Sequence, residues 1–214
     1  AEAPGGPHAF ATAREVDESL ADLLEWESQG TAARIGRGYV TSPGAETLNL
    51  GFRDLDLPAG ARLMVSHPDG TQERGPYPAE NANGALFTPV IASETVLITI
   101  VVPADARPLS GRLVHVGHGW NPPERAFDPV RPQAAGACNI DTACAQADDW
   151  GAAASSVARL TYVRNDVQFS CSGALINTTE GPVATYVLTA QHCIDAQAQA
   201  ETAFPTAELD LIST

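Results

Sequence analysis

Near the start of the chain, apolar residues recur at helical spacing. Four of them occupy positions i, i+4, i+7 and i+8, on one face of a helix, namely Val16, Leu20, Leu23 and Leu24. Thr12 and Glu15 have the spacing of a capping box at the start of this segment, and Gly30 follows its end. The pattern predicts a short amphipathic helix over about residues 12–28, whose apolar stripe packs on a neighbouring element.

From about residue 34 the period of the apolar residues changes to two. Leu48, Leu50 and Phe52 alternate with smaller or polar residues, as a half-buried strand requires. Further strand candidates are Ala61–Ser66, Leu86–Ile91, Thr95–Val102 and Arg112–Val116. His67-Pro-Asp-Gly70 is a turn signal. Short strands separated by turns predict a β-sandwich over about residues 34–117.

Prolines mark a boundary in the middle of the chain. They fall at Pro122, Pro123, Pro129 and Pro132, among charged residues. We expect an extended linker over about residues 120–135, between a first domain at 1–119 and a second at 136–214. Strands are predicted in the second domain at Val157–Val163, Val167–Ile176 and Ala184–Ala190. The predicted fold class is therefore mainly β throughout.

Composition narrows the possible partners and compartments. The 214 residues carry a net charge of −14, which argues against a nucleic-acid partner because phosphate binding needs clustered Lys and Arg. No apolar run is long enough to span a membrane, so no membrane partner is expected. The chain opens Ala-Glu-Ala-Pro without Met, which fits a mature end left by signal-peptide removal. We therefore expect a secreted protein, extracellular or periplasmic.

Two apolar segments, each with a cysteine, bring a histidine to a strand end. They are Phe169-Ser-Cys-Ser-Gly-Ala-Leu-Ile176 and Tyr186-Val-Leu-Thr-Ala-Gln-His-Cys193. The arrangement resembles the histidine half of a trypsin/chymotrypsin-type serine protease. Together with Cys138-Asn-Ile-Asp141, it is most similar to bacterial proteases of the lysyl endopeptidase type. The resemblance covers about residues 136–214 in detail, and it implies the first part of the first β-barrel of a chymotrypsin-like fold.

The resemblance also implies roles for particular residues. His192 would be the general base toward a downstream serine, with a downstream aspartate to orient it. Cys171 and Cys193 would form a disulfide that holds the histidine in place. The β-rich segment before the linker, which includes Gly75-Pro-Tyr77, would be a pro-region that packs on the protease domain and assists folding or blocks the site until it is removed. The partner of the full-length enzyme would be a protein or peptide substrate.

Other chemistry is less well supported by the residues. His115 and His118 would point to opposite faces of a strand, and Cys138, Cys144, His192 and Cys193 lack a C-x-x-C pair, so neither set predicts a metal site. No cofactor is expected. For Cys138 and Cys144, two states remain open: a bond with each other, or two free thiols.

The chain departs from the protease pattern after His192. Asp195 and Asp210 follow too soon to match the triad aspartate, and Ser213 lacks a Gly-Asp-Ser-Gly context. We therefore expect a truncated precursor that is inactive by itself, in which P1 specificity is set by residues beyond position 214. The alternative is a non-catalytic binding or inhibitory protein that retains the pro-domain.

Activation also departs from the lysyl branch of the family. All of the basic residues are Arg, so cleavage after Lys cannot separate the two domains. Arg131 precedes Pro132, a poor scissile bond, and Arg125 is the nearest alternative. Either another protease cuts the precursor or its own specificity is not for Lys.

Overall fold

The computed structural model describes residues 7–78, 84–122, 149–154, 156–176, 186–196 and 204–205. The chain divides into two compact units. One comprises Ala11–Trp120, and the other comprises Asn121–Thr214 together with Ala1–Phe10. The predicted limits of the domains, at 1–119 and 136–214, stay predictions, and most of the predicted linker lies outside the described residues.

Strands dominate the first part of the chain. In chain order its elements are β1 (His8–Ser19), α1 (Leu20–Leu23), β2 (Glu25–Gln29), β3 (Ala33–Thr41), β4 (Thr47–Asp56), β5 (Arg62–Ser66), β6 (Arg74–Pro78), β7 (Leu86–Phe87), β8 (Thr95–Pro103) and β9 (Ser110–Gly119). In one sheet β9 lies between β1 and β4, and β7 pairs with the other edge of β4. The other sheet has five strands in the order β2-β3-β8-β5-β6, and all of these pairings are antiparallel.

The two sheets of this unit contribute to a common core. Burial alternates residue by residue along β8, and β4 and β8 contact each other. On β4, β5, β8 and β9, the largest fully buried aliphatic and aromatic side chains are Leu48, Leu50, Phe52, Leu63, Ile98, Ile100 and Leu113. Burying one such side chain stabilises a fold by about 1.5–3 kcal/mol. The mainly β fold class and the two-sheet character of this unit are confirmed.

The predicted helix at 12–28 is wrong over most of its length. Residues up to Ser19 belong to β1, which pairs with β9 from Ala11↔Gly119 onward, with an irregularity between Glu15 and Glu18. Only the single turn α1 is helical, and its N-terminal flank has no side-chain cap. Pairing with β9 satisfies the backbone of this segment, so a long-range contact overrides its helical pattern. Leu20 and Leu24 are buried here, as they would be on the apolar face of a helix, so their apolar character does not distinguish a strand from a helix.

The predicted strands correspond closely to observed ones. β4, β5, β8 and β9 cover the segments predicted from their alternation, whereas the predicted strand at Leu86–Ile91 shrinks to β7 and a single bridge from Ile91 to Leu48. The turn after β5 is present, since the His67 carbonyl accepts a hydrogen bond from the Gly70 amide at 2.9 Å. Gly70 has a φ of +85°, which explains the glycine there.

The C-terminal unit is also built from antiparallel strands. Its described elements are α2 (Gly151–Ala154), β10 (Val157–Arg164), β11 (Val167–Ile176), β12 (Tyr186–Thr189) and β13 (Phe204–Pro205). β10 lies between β13 and β11, and β12 pairs with the end of β11. These strands belong to an open sheet, and no closed barrel is formed within the described residues. In the described part of the chain, no helix has the length and apolar character to cross a bilayer.

Candidate active site

The site begins with a tight hairpin between β10 and β11. Arg164 pairs with Val167, and the two residues between them, Asn165 and Asp166, have φ values of 51° and 59°. Such a two-residue turn with positive φ at both positions matches the twist of the strands it joins. Its geometry fixes the register in which Cys171 lies opposite Leu160. The hairpin therefore fixes the position of Cys171 along β11 relative to β10.

The short strand β12 brings the histidine segment to the end of β11. Thr189 pairs with Gly173, and its hydroxyl donates a hydrogen bond to the Ser172 carbonyl at 2.9 Å. A Cβ on Gly173 would lie 2.9 Å from the Leu188 carbonyl oxygen, closer than real Cβ atoms approach. Glycine at this position therefore permits the close pairing that positions the residues after β12.

His192 lies in the turn that directly follows β12. The Cys193 amide closes this turn by donating to the Ala190 carbonyl at 3.0 Å. The disulfide between Cys171 and Cys193 is present, with a Cα–Cα distance of 6.2 Å across a sequence separation of 22 residues. Cys193 is only 3% exposed, whereas His192 itself is exposed. The imidazole is thus presented to solvent by a turn that is anchored through its neighbour.

The structure brings together three of the predicted site residues. A ring nitrogen of His192 and the sulfurs of Cys171 and Cys193 all lie within 4.8 Å of one another. Among the described residues, no carboxylate is in hydrogen-bonding or ion-pair contact with the His192 ring. Asp195 is described and exposed. Asp210, Ser213, Cys138 and Cys144 lie outside the described residues.

Tyr162 is a residue near this site that the sequence analysis did not single out. It lies on β10 opposite Phe169, with the ring centroids 5.8 Å apart, and it is 1% exposed. Its hydroxyl is buried and has no hydrogen-bond partner among the described residues. Burial raises the pKa of Tyr162, while the nearby Arg164 opposes the rise and the carboxylate of Asp195 adds to it. The carboxylate of Asp195 thus acts electrostatically on Tyr162 of the β10–β11 hairpin.

The two histidines that share a strand in the N-terminal unit do not converge. His115 is buried and packs on Phe87, with ring centroids 5.6 Å apart. His118 Nδ1 lies 2.7 Å from the hydroxyl of Ser42, which follows β3 in the other sheet. The pair therefore serves packing and a polar link between the sheets. This unit also has a cavity of about 430 Å³ beside Trp26 and Arg34, which contains none of the predicted catalytic residues.

Two models of known protein families match the chain. The family model described as the lysyl endopeptidase N-terminal domain matches residues 1–114, which is more than half of the chain. The model described as the lysyl endopeptidase C-terminal domain matches residues 132–208. The chain belongs to the lysyl endopeptidase family. The resemblance that the sequence suggested is confirmed.

The chain is also similar to one individual curated protein. The chain is 25% identical over 219 aligned positions to the lysyl endopeptidase of Pseudomonas aeruginosa, a match that takes in 93% of the chain and 46% of the relative. The chain thus spans about half the length of that relative. Within this lysyl endopeptidase family member, Cys171, His192 and Cys193 fall in the part matched by the C-terminal model, and the two-sheet unit falls in the part matched by the N-terminal one.

Proposed function

We propose that this chain is the pro-region and the histidine-bearing segment of a secreted serine endopeptidase precursor. The observation that carries the proposal is the position of His192. It is an exposed imidazole in a turn directly after a strand, and the buried neighbour Cys193 is tied to the adjacent strand β11. A general base needs this combination, because its ring must be accessible to the reacting group while its backbone is held still.

The chemistry follows from the ordinary properties of these groups. A serine hydroxyl is a weak nucleophile until a base accepts its proton, and a neutral imidazole can do so near neutral pH. His192 would accept that proton as the serine attacks the peptide carbonyl and would then donate it to the leaving amine. The serine and the orienting aspartate would come from other parts of the full-length protein, so the 214 residues alone should not hydrolyse peptides.

Kinetics of the full-length gene product test this proposal. Replacing His192 with Ala should lower kcat for peptide hydrolysis by about 10⁴–10⁶-fold, because a serine without its base loses nearly all of its acceleration. Gln191→Ala changes an exposed neighbour in the same turn and should leave kcat within about twofold of the parent. Equal activity of the His192→Ala variant and the parent would reject the role of His192. A parent with no peptidase activity would favour a non-catalytic binding or inhibitory protein.

The substrate class can be tested with the same enzyme. The family name suggests cleavage after Lys, and this chain has no Lys at which such an enzyme could cut it. We propose that cleavage between the two domains is done by a different protease. With peptides that differ only at P1, kcat/KM should be highest for Lys. Preference for Arg at P1, with a mature N-terminus after Arg125 or Arg131, would instead indicate self-processing.

A further inference from the structure

The disulfide and His192 form a cluster whose chemistry changes with its redox state. While Cys171 and Cys193 are bonded to each other, neither sulfur is a thiolate, so neither can act as a strong metal ligand. In the reduced state the same backbone would present two thiols and one imidazole. Their ligand atoms already lie within 4.8 Å of one another.

We infer that the reduced form of this chain is a Cys2His site for a thiophilic divalent ion such as Zn²⁺, held by Cys171, His192 and Cys193. Two thiolates at about 2.3 Å from a tetrahedral ion are separated by about 3.8 Å, and a thiolate and an imidazole nitrogen by about 3.5 Å. The Cα–Cα distance of 6.2 Å between the cysteines lets side-chain rotation open the sulfurs to that separation. Thiolates with imidazole favour Zn²⁺, Co²⁺ and Cd²⁺ over Mg²⁺ or Ca²⁺.

Local structure supports simultaneous ligation by the adjacent residues His192 and Cys193. On a strand their side chains would diverge, but the hydrogen bond from the Cys193 amide to Ala190 places both in a turn. Their ligand atoms lie within 4.8 Å of each other and of the Cys171 sulfur on β11. A bound ion would also close the loop of 22 residues that the disulfide closes, and so would restore part of the lost stability.

The redox step balances with a trialkylphosphine as the reductant. The phosphine breaks the S–S bond and becomes a phosphine oxide with the oxygen of one water, whose two protons yield two thiols. The ion then displaces those protons to solvent and takes the lone pair of the His192 ring. If His192 is the base proposed above, a loaded chain cannot use it to accept a proton. This last consequence rests on the proposed function, whereas metal binding does not.

The test uses the full 214-residue chain with Cys138→Ser and Cys144→Ser, so that Cys171 and Cys193 are the remaining thiols. The chain is reduced with a trialkylphosphine, freed of excess reagent without oxygen and titrated with Co²⁺. We expect one Co²⁺ per chain and thiolate-to-cobalt charge-transfer absorption. The visible d–d bands should have the high intensity that is typical of four-coordinate Co²⁺, and Zn²⁺ should displace the Co²⁺. The oxidised chain should show none of these.

Variants separate the three-ligand site from two loose thiols. His192→Ala should weaken Co²⁺ binding by at least about tenfold and shift the visible bands, whereas Gln191→Ala should do neither. In the reduced wild-type chain, Zn²⁺ should protect Cys171 and Cys193 from alkylation, and His192→Ala should remove most of that protection. The inference is overturned if the reduced chain binds Co²⁺ no better than Cys171→Ser/Cys193→Ser, or if His192→Ala binds as the parent does. Because peptidase activity is not measured, failure here leaves the proposed function standing.

Discussion

At the scale of single residues, function and stability depend on side chains that are held by their neighbours. His192 is exposed, and its position is set by the buried Cys193 and the turn that closes on Ala190. A similar arrangement holds an acid in the turn after β5. Asp69 accepts hydrogen bonds from the hydroxyl of Thr71 at 2.6 Å and from its amide at 2.8 Å, and His67 Nδ1 lies 2.7 Å away. Both turns are closed by hydrogen bonds between residues two or three positions apart.

The Asp69 turn yields a prediction about acid titration. Hydrogen bonds from the Thr71 hydroxyl and amide, with a smaller contribution from His67, lower the pKa of Asp69 from 3.8 to about 2. Since the folded pKa lies below the unfolded one, the stabilisation is present above about pH 3.8 and is lost as the pH falls through about 2. Carboxyl NMR titration should show Thr71→Val raising the pKa of Asp69 toward 3.8, with no change in Thr31→Val. Ordinary titration of Asp69 in the parent would contradict this account.

At the scale of elements, the alternation of apolar and polar residues predicted the strands well, whereas the helical spacing of apolar residues predicted a helix that is mostly absent. β11 begins and ends where the pattern places it, and β4, β5, β8 and β9 differ from their predictions only at the ends. The segment before residue 20 was misassigned because its backbone partner, β9, follows about a hundred residues later and leaves no local signal. β3 and β6 were not delimited for a related reason: Gly36 and Gly38 interrupt the apolar pattern of β3, and Pro76 and Pro78 interrupt that of β6.

Gly38 shows why a strand can contain glycine at a packed position. A Cβ there would lie 2.5 Å from the carbonyl oxygen of Leu23, a backbone atom that cannot move aside easily. Gly38→Ala should therefore destabilise the N-terminal unit by about 1–3 kcal/mol in chemical denaturation. Gly151→Ala is the control, because a Cβ on Gly151 meets no atom within 4 Å. Equal stability of the Gly38→Ala variant and the parent would mean that α1 and β3 do not pack as described.

The disulfide is the element-scale feature that the family resemblance predicted correctly. It closes a loop of 22 residues, for which the chain-entropy model gives about 3 kcal/mol. In oxidising buffer, Cys171→Ser/Cys193→Ser should lower the stability of the β10–β12 sheet by roughly that amount, measured by hydrogen exchange of its amides. In reducing buffer the difference from the parent should vanish. Identical exchange in oxidising buffer would show that the bond adds no stability.

At the scale of the whole molecule, the site could be predicted only where residues carry a family pattern. The Leu188–Cys193 segment led to His192 and its disulfide through its resemblance to a known family, which implies both. Tyr162 could not be found in this way. Its burial and its electrostatic link to Asp195 depend on hairpin packing, and an isolated Tyr on an apolar strand is usual in any core.

The division into units yields a prediction about independent folding. Strands β2 to β9 and most of β1 lie within Ala11–Trp120, so a fragment of residues 1–120 should fold by itself. Its circular dichroism should be rich in β-structure, and its unfolding should be cooperative. Gly38→Ala should destabilise the fragment as much as the whole chain, because Gly38 and Leu23 lie in the same unit. A random-coil spectrum for the fragment would contradict an autonomous N-terminal domain.

The central claim is that His192 is the base that activates a serine in the full-length protein. Labelling with a fluorophosphonate tests it most directly, because the reagent reacts with a serine whose hydroxyl has been activated. The account predicts that the full-length gene product is labelled on one serine, that Gln191→Ala is labelled at the same rate, and that His192→Ala is not labelled. Labelling of His192→Ala at the parent's rate would contradict the claim.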